Sequence, residues 1–252
     1  MNGPEVTGDS VGFDFAPIGF VHSCFKEKFG IPRQPGLADE ARATLELKTP
    51  FGRSEAMSGL ENFSHIWIIF IFHEAIREQW RSTVRPPRLG GNQRVGVFAS
   101  RSPFRPNPIG ISVVKLEKIE CSGSGCLLHL RGADLLDGTP VLDIKPYLPY
   151  SDALSEAEGG YAEDSPSHSI SVIFSDLAET QCTELERSGT LGMRRLIEQI
   201  LSQDPRPAYK KDVDEESSEK QHFGMRLYDF DLRWTIKADQ VEVLELSSVL
   251  DV

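Results

Sequence analysis

Over the first 150 positions apolar and polar residues alternate in short runs, the period that sends side chains to opposite faces of a strand. Residues 43–47 (Ala-Thr-Leu-Glu-Leu) show it most cleanly. Residues 15–21, 95–99, 109–116 and 141–144 share the β-branched and aromatic bias, and residues 116–119 and 125–131 bracket a Ser/Gly turn as a hairpin does. Residues 63–72 are apolar on both faces, as in a strand inside a closed sheet, so Trp67, Phe70 and Phe72 are expected to be buried. Residues 74–80 read as a short helix. Six or seven short strands broken by long polar loops predict a barrel or sandwich.

The pattern changes after residue 150. Ser, Glu, Ala, Gly and Asp dominate residues 151–169, a linker composition. Asp176 then reads as a helix cap, and Leu191, Leu196, Ile197, Ile200 and Leu201 follow helical spacing up to Pro205. Residues 210–221 are charged, and residues 226–230, 232–236 and 241–246 resemble three further strands. The expectation is a mainly β chain: a small β-barrel domain at 13–152, then a small α+β domain at 170–249.

The longest apolar stretch, residues 66–72, is far too short to span a membrane. The first ten residues have neither a basic start nor an apolar core, so secretion is not expected and a cytoplasmic location is. Cys121 and Cys126 are placed to face each other across the hairpin turn. In a chain without a secretion signal, however, all four cysteines read as free thiols, and no metal site is expected.

A net charge of −11 argues against a general nucleic-acid binder, but its distribution matters more. Residues 77–105 hold seven arginines (77, 81, 85, 88, 94, 101 and 105) against the single acid Glu78, a local charge of +6 that leaves −17 elsewhere. A concentrated cationic patch on an acidic body suits one specific polyanion.

Dinucleotide-fold, P-loop and nucleophile-elbow signatures are all absent from the sequence. Three loops combine proline-stiffened backbone with polar side chains instead. They are Pro32-Arg-Gln34, Arg101-Ser-Pro-Phe-Arg-Pro-Asn-Pro-Ile-Gly110, and Asp134-Leu-Leu-Asp-Gly-Thr-Pro140 running on to Tyr147. Proline lowers loop entropy, so polar groups are held in place before a ligand arrives.

These loops, with Phe63-Ser-His-Ile-Trp67, Arg85-Pro-Pro-Arg-Leu-Gly-Gly91 and Asp204-Pro-Arg-Pro-Ala-Tyr209, resemble the TsaA/TrmO family of tRNA methyltransferases. The resemblance implies a β-barrel that binds S-adenosylmethionine, a C-terminal domain and a homodimer. It further implies methylation of N6 on threonylcarbamoyl-adenosine at position 37, in the tRNA anticodon stem-loop. Carried over by motif, the cofactor contacts are Pro32, Arg33, Gln34, His73, Glu74, Arg101, Ile111, Asp134, Leu135, Leu136 and Asp137.

On the substrate side, Arg85, Arg88 and Arg94 are candidates for tRNA phosphates, because few acids lie nearby to neutralise them. Arg206 and Tyr209 are expected on a stiff loop displayed after the last helix. A threonylcarbamoyl group makes N6 part of a urea, acidifying its N–H, so a proton acceptor helps the transfer. His73, Asp204 and Tyr209 are the catalytic candidates. Bland alternatives stand beside them: His73 as a strand-end histidine, Asp137 as a turn residue, Glu74 as a cap. The rival function is a non-catalytic barrel that binds S-adenosylmethionine or RNA.

Overall fold

The computed structural model describes residues 13–123, 125–164, 170–190, 192–206, 221–237 and 240–249. Strands β1 (Gly19–Ser23), β2 (Arg42–Lys48) and β3 (His65–Ile71) come first, with the short helix α1 (Ser54–Met57) before β3. A two-residue ribbon, β4 (Thr83–Val84) with β5 (Val95–Gly96), lies in the arginine-rich arm. Then follow β6 (Ile109–Ser122), β7 (Gly125–Arg131) and β8 (Pro140–Pro146). Six strands close into a barrel in the order β1-β2-β7-β6-β3-β8. Within the barrel alternate side chains point inward, and Val21, Leu45, Ile66, Ile68, Leu128 and Val141 are fully buried there.

The C-terminal part is α+β. After α2 (Pro149–Asp152) come β9 (Ser171–Phe174), α3 (Asp176–Arg187) and α4 (Met193–Leu201), then β10 (Gln221–Leu227), β11 (Phe230–Lys237) and β12 (Gln240–Ser248). The sheet runs β10-β11-β12-β9, with β9 parallel to β12. One apolar face of α4 (Met193, Leu196, Ile197, Ile200, Leu201) packs on Trp234 and Leu232.

This second core also takes in Cys24, Phe25, Ala38 and Ala41, from the loop between β1 and β2. The Cys24 carbonyl accepts from Tyr228 N at 2.8 Å, and the Leu37 carbonyl accepts from Gln203 Nε2 at 3.0 Å. Gln199 Oε1 in α4 accepts from Glu40 N at 2.9 Å. Residues 24–41 are thus clamped at both ends by the C-terminal part.

Several local expectations need correction. The first strand begins at Gly19 rather than residue 15, because Pro17 has no N–H to donate to the ladder. Residues 74–80 form no helix beyond a single 3-10 turn, His73–Ala75. Ile76 and Trp80 stay exposed, so that segment has no buried face to hold it. Residues 95–99 are a strand only at Val95–Gly96, because Val97–Ala99 curls into a 3-10 turn whose Val97 carbonyl accepts from Ser100 Oγ at 2.8 Å.

Cys121 and Cys126 are disulfide-bonded rather than free, since the β6–β7 register sets them directly opposite, with Cα atoms 4.1 Å apart. Cys24 and Cys182 are free and buried. The cap of α3 is Ser175, whose hydroxyl accepts from Ala178 N at 3.1 Å, not Asp176. Residues 226–230 are not one strand: the β10–β11 turn falls inside them, with Tyr228 at φ 52°. Phe70 is buried, but Trp67 and Phe72 are only half-buried. Trp67 faces outward and donates from Nε1 to Asp152 Oδ2 at 2.9 Å.

Candidate functional site

A cleft of about 580 Å³ opens at one rim of the barrel, within the range of small-ligand sites. Its floor is the β3–β6 pair. Phe70 crosses directly over Gly110, where any Cβ would sit 2.3 Å from the ring, so only glycine leaves that ring in place. Ile109 and Ile111 present exposed apolar walls beside it.

The three proline-rich loops converge on this cleft. Pro32, Arg33 and Gln34 form one side, at the middle of the loop that the C-terminal part clamps. Arg101 reaches across to donate to the Gln34 side-chain oxygen, joining the first loop to the second. In the second loop Arg105 is fixed by donating to the Ser100 carbonyl at 2.7 Å, and Arg77 stacks 3.7 Å from the centroid of Phe104. In the third, the Leu135 carbonyl accepts from Ser23 Oγ and the Leu136 carbonyl from Thr139 Oγ1, each at 2.7 Å. Those bonds spend the two carbonyls internally and set the loop's shape before any ligand arrives.

Asp134 is the electrostatic centre of the cleft. Burial raises its carboxyl to about 6, against the opposing hydrogen bond from Ser112 and the charge of Arg101. The Ser112 hydroxyl that donates to it is itself buried. At neutral pH the group is a carboxylate held mainly by a neutral donor, in surroundings that favour a cationic partner.

Of the eleven cofactor candidates, ten line the cleft: Pro32, Arg33, Gln34, His73, Glu74, Arg101, Ile111, Asp134, Leu135 and Leu136. Asp137 does not. It accepts from Ser23 N at 2.8 Å and pairs with Lys26 at 2.9 Å, bracing the loop from behind. Lys28, which sequence reasoning missed, lines the cleft and ties the Glu74 carbonyl at 2.7 Å. Ser112 was also missed. Its signal was legible as the polar member of the inward set Gly110, Ser112, Val114 and Leu116.

The other candidates are scattered. Arg85, Arg88 and Arg94 are exposed on the arm, away from the cleft lining; Arg88 donates to the Asp164 carbonyl and Arg94 to Thr83 Oγ1. Asp204 and Arg206 are not displayed from a loop, contrary to expectation. Both are buried, and Arg206 donates to Asp204 Oδ1 at 2.8 Å and Oδ2 at 3.1 Å. Asp204 takes a left-handed backbone (φ 49°), which folds the pair inward. Tyr209 lies outside the described residues.

The residues present fit S-adenosylmethionine. Asp134 offers a negative charge for a sulfonium or an acceptor for the adenine amino group. The isoleucine walls suit the adenine ring, and Arg33 or Arg101 the methionine carboxylate. Among the described residues no cluster of His, Cys, Asp or Glu is placed to hold a metal ion. No helix among them is long and apolar enough to cross a membrane.

A closed six-stranded barrel with a preformed rim cleft and an α+β extension defines a β-barrel ligand-binding protein. The comparisons with known proteins make that class specific. Residues 20–153 match the family model for the tRNA-methyltransferase O N-terminal domain, and residues 167–249 match the TrmO C-terminal domain. The chain belongs to the TrmO family.

It is 46% identical to the tRNA (adenine(37)-N6)-methyltransferase of Escherichia coli over 93% of this chain and 97% of that protein. It is 50% identical, over 92% of this chain and 96% of the other, to a Pseudomonas aeruginosa protein whose name describes an S-adenosylmethionine-dependent methyltransferase. A crystal structure of TrmO from P. aeruginosa superposes with a TM-score of 0.78 at 43% identity, covering 95% of this chain and 99% of that one.

Proposed function

We propose that this protein is an S-adenosylmethionine-dependent methyltransferase that modifies N6 of adenine 37 in tRNA, and that the adenine it prefers carries a threonylcarbamoyl group. The observation that carries the reading is the cleft: three rigid loops around a desolvated carboxylate, on a chain of the TrmO family. S-adenosylmethionine supplies the reactive methyl when bound. The protein's part is to align nucleophile, carbon and sulfur, and to accept a proton.

Asp134 orients the cofactor cation, and Arg33 and Arg101 hold its carboxylate. His73, which lines the cleft just after β3, is the residue we assign to accept the N6 proton. Asp204 serves the fold in this reading, because its carboxylate is committed to Arg206. Tyr209 is retained as a base-stacking residue on the substrate side. The enzyme works as a cytoplasmic homodimer.

An anticodon-loop adenine is already unpaired, so drawing it into the cleft costs little. The test is incubation of the purified protein with methyl-labelled cofactor and tRNA, followed by nucleoside mass spectrometry. Label on threonylcarbamoyl-adenosine is the expected result. Label on unmodified adenosine alone removes the finer substrate, and binding without transfer leaves a non-catalytic barrel.

A further inference from the structure

The most exposed rings of the arginine arm lead away from the cleft mouth in sequence and in space. Phe98 is 74% exposed, Trp80 46% and Phe104 38%. Phe104 and Arg105 line the cleft. From there the Arg105 guanidinium lies 5.9 Å from the Phe98 centroid, and the Trp80 ring lies 6.4 Å beyond, tilted 36°.

Leaving this much aromatic area in water forfeits its burial energy, so its retention calls for a ligand. The surrounding charge indicates which kind. Among the described residues none of the seven arginines between 77 and 105 forms a salt bridge, although the chain as a whole is acidic. An acidic peptide would satisfy the guanidinium groups but would offer no flat π face to the rings. Single-stranded nucleic acid supplies both, with phosphates on the cations and bases on the aromatics.

We propose that Phe98, backed by Trp80, is a stacking platform for the nucleotide next to the one whose base enters the cleft, with Arg77 and Arg105 beside the intervening phosphates. The inference rests on the tRNA reading above. Drawing one base into a pocket strips its neighbour of a stacking partner, and an exposed ring at the pocket mouth replaces it. Every base has a π face, so the platform tolerates sequence and sets affinity more than identity.

The experiment uses the full chain carrying Phe98→Ala, Phe98→Leu or Phe98→Tyr. KM for tRNA is expected to rise about tenfold in the Ala and Leu variants and less than about twofold in Tyr, which restores the ring. The maximal rate, cofactor affinity and melting temperature stay near wild type, because Phe98 is 74% exposed and belongs to neither hydrophobic core. An unchanged KM in Phe98→Ala overturns the proposal, as does full retention by Leu, which keeps apolar bulk without a π face. Loss that tracks dissociation of a dimer in light scattering also overturns it and assigns the ring to a second copy.

Binding of a fluorescent anticodon stem-loop, measured on the same variants without cofactor, separates the two levels. Phe98-dependent binding with no methylation by wild type retires the functional reading and leaves the platform. Methylation indifferent to Phe98 retires the platform alone.

Discussion

Two aspartates, one at the barrel rim and one just after α4, sit in opposite electrostatic settings. Asp204 is buried and gripped by both arms of the Arg206 guanidinium. Asp134 is desolvated too, but its close partner is a neutral hydroxyl, and its pKa climbs to about 6. A carboxylate whose charge is matched within the fold is finished. One held by a neutral hydroxyl, with the Arg101 charge acting only weakly on it, keeps affinity for a cation from outside. In the function proposed above, the contrast separates a structural acid from a ligand-binding one, although both lie in family-like segments of the sequence.

Breaking the Asp204 pair should give the largest effect. Asp204→Ala removes the buried carboxylate to which Arg206 donates and should lower unfolding free energy by about 3–5 kcal/mol in denaturant titration. S-adenosylmethionine affinity of the folded fraction should move less than about threefold. Loss of binding without loss of stability would reverse the assignments of the two acids.

Asp134→Asn should act in the opposite sense. A carboxyl with a raised folded pKa adds stability below its unfolded value, near 4, and loses it as pH rises through about 6. At pH 7.5 the wild type therefore carries a penalty that asparagine removes, a gain of about 1–3 kcal/mol that vanishes below about pH 4. Cofactor affinity should fall by about tenfold or more in the same variant.

Arg101→Ala should weaken cofactor binding by about tenfold in calorimetry, because it removes both a cation and the bridge to Gln34. The most diagnostic effect is ionic. If three or four arm arginines meet phosphates, tRNA affinity should fall with salt at a log–log slope of about −2 to −4, while cofactor affinity changes far less. A flat salt response for tRNA would remove the arm from the interface.

The barrel was legible because alternation survives wherever one strand face is buried, as in β2 and β7. The cleft loops were legible because three proline-stiffened polar loops occur in one chain and resemble the segments of one family. What escaped depends on long-range pairing. The clamping of residues 24–41 rests on Gln199 in α4 and Gln203 in the turn after it, ordinary polar residues whose partners lie about 160 positions away. The inward turn of Asp204 needs its left-handed backbone, and two neighbouring prolines suggest display just as readily. Residues 109–119 belong to one strand rather than two, because the register shift between Leu116 and Lys118 is absorbed without ending the ladder. Tertiary context also decided the disulfide, since only the β6–β7 register brings Cys121 onto Cys126.

The most direct test of the contrast between the two acids is a calorimetric titration of S-adenosylmethionine from pH 5 to pH 8, on wild type and on Asp134→Asn. In wild type, affinity should fall about tenfold as pH drops through 6, where protonation removes the charge proposed to hold the sulfonium. In Asp134→Asn, affinity should be lower throughout and nearly independent of pH. A wild-type affinity that is flat from pH 5 to 8, or an Asp134→Asn protein that binds as tightly as wild type, would contradict the assignment of Asp134 as the charge that holds the cofactor.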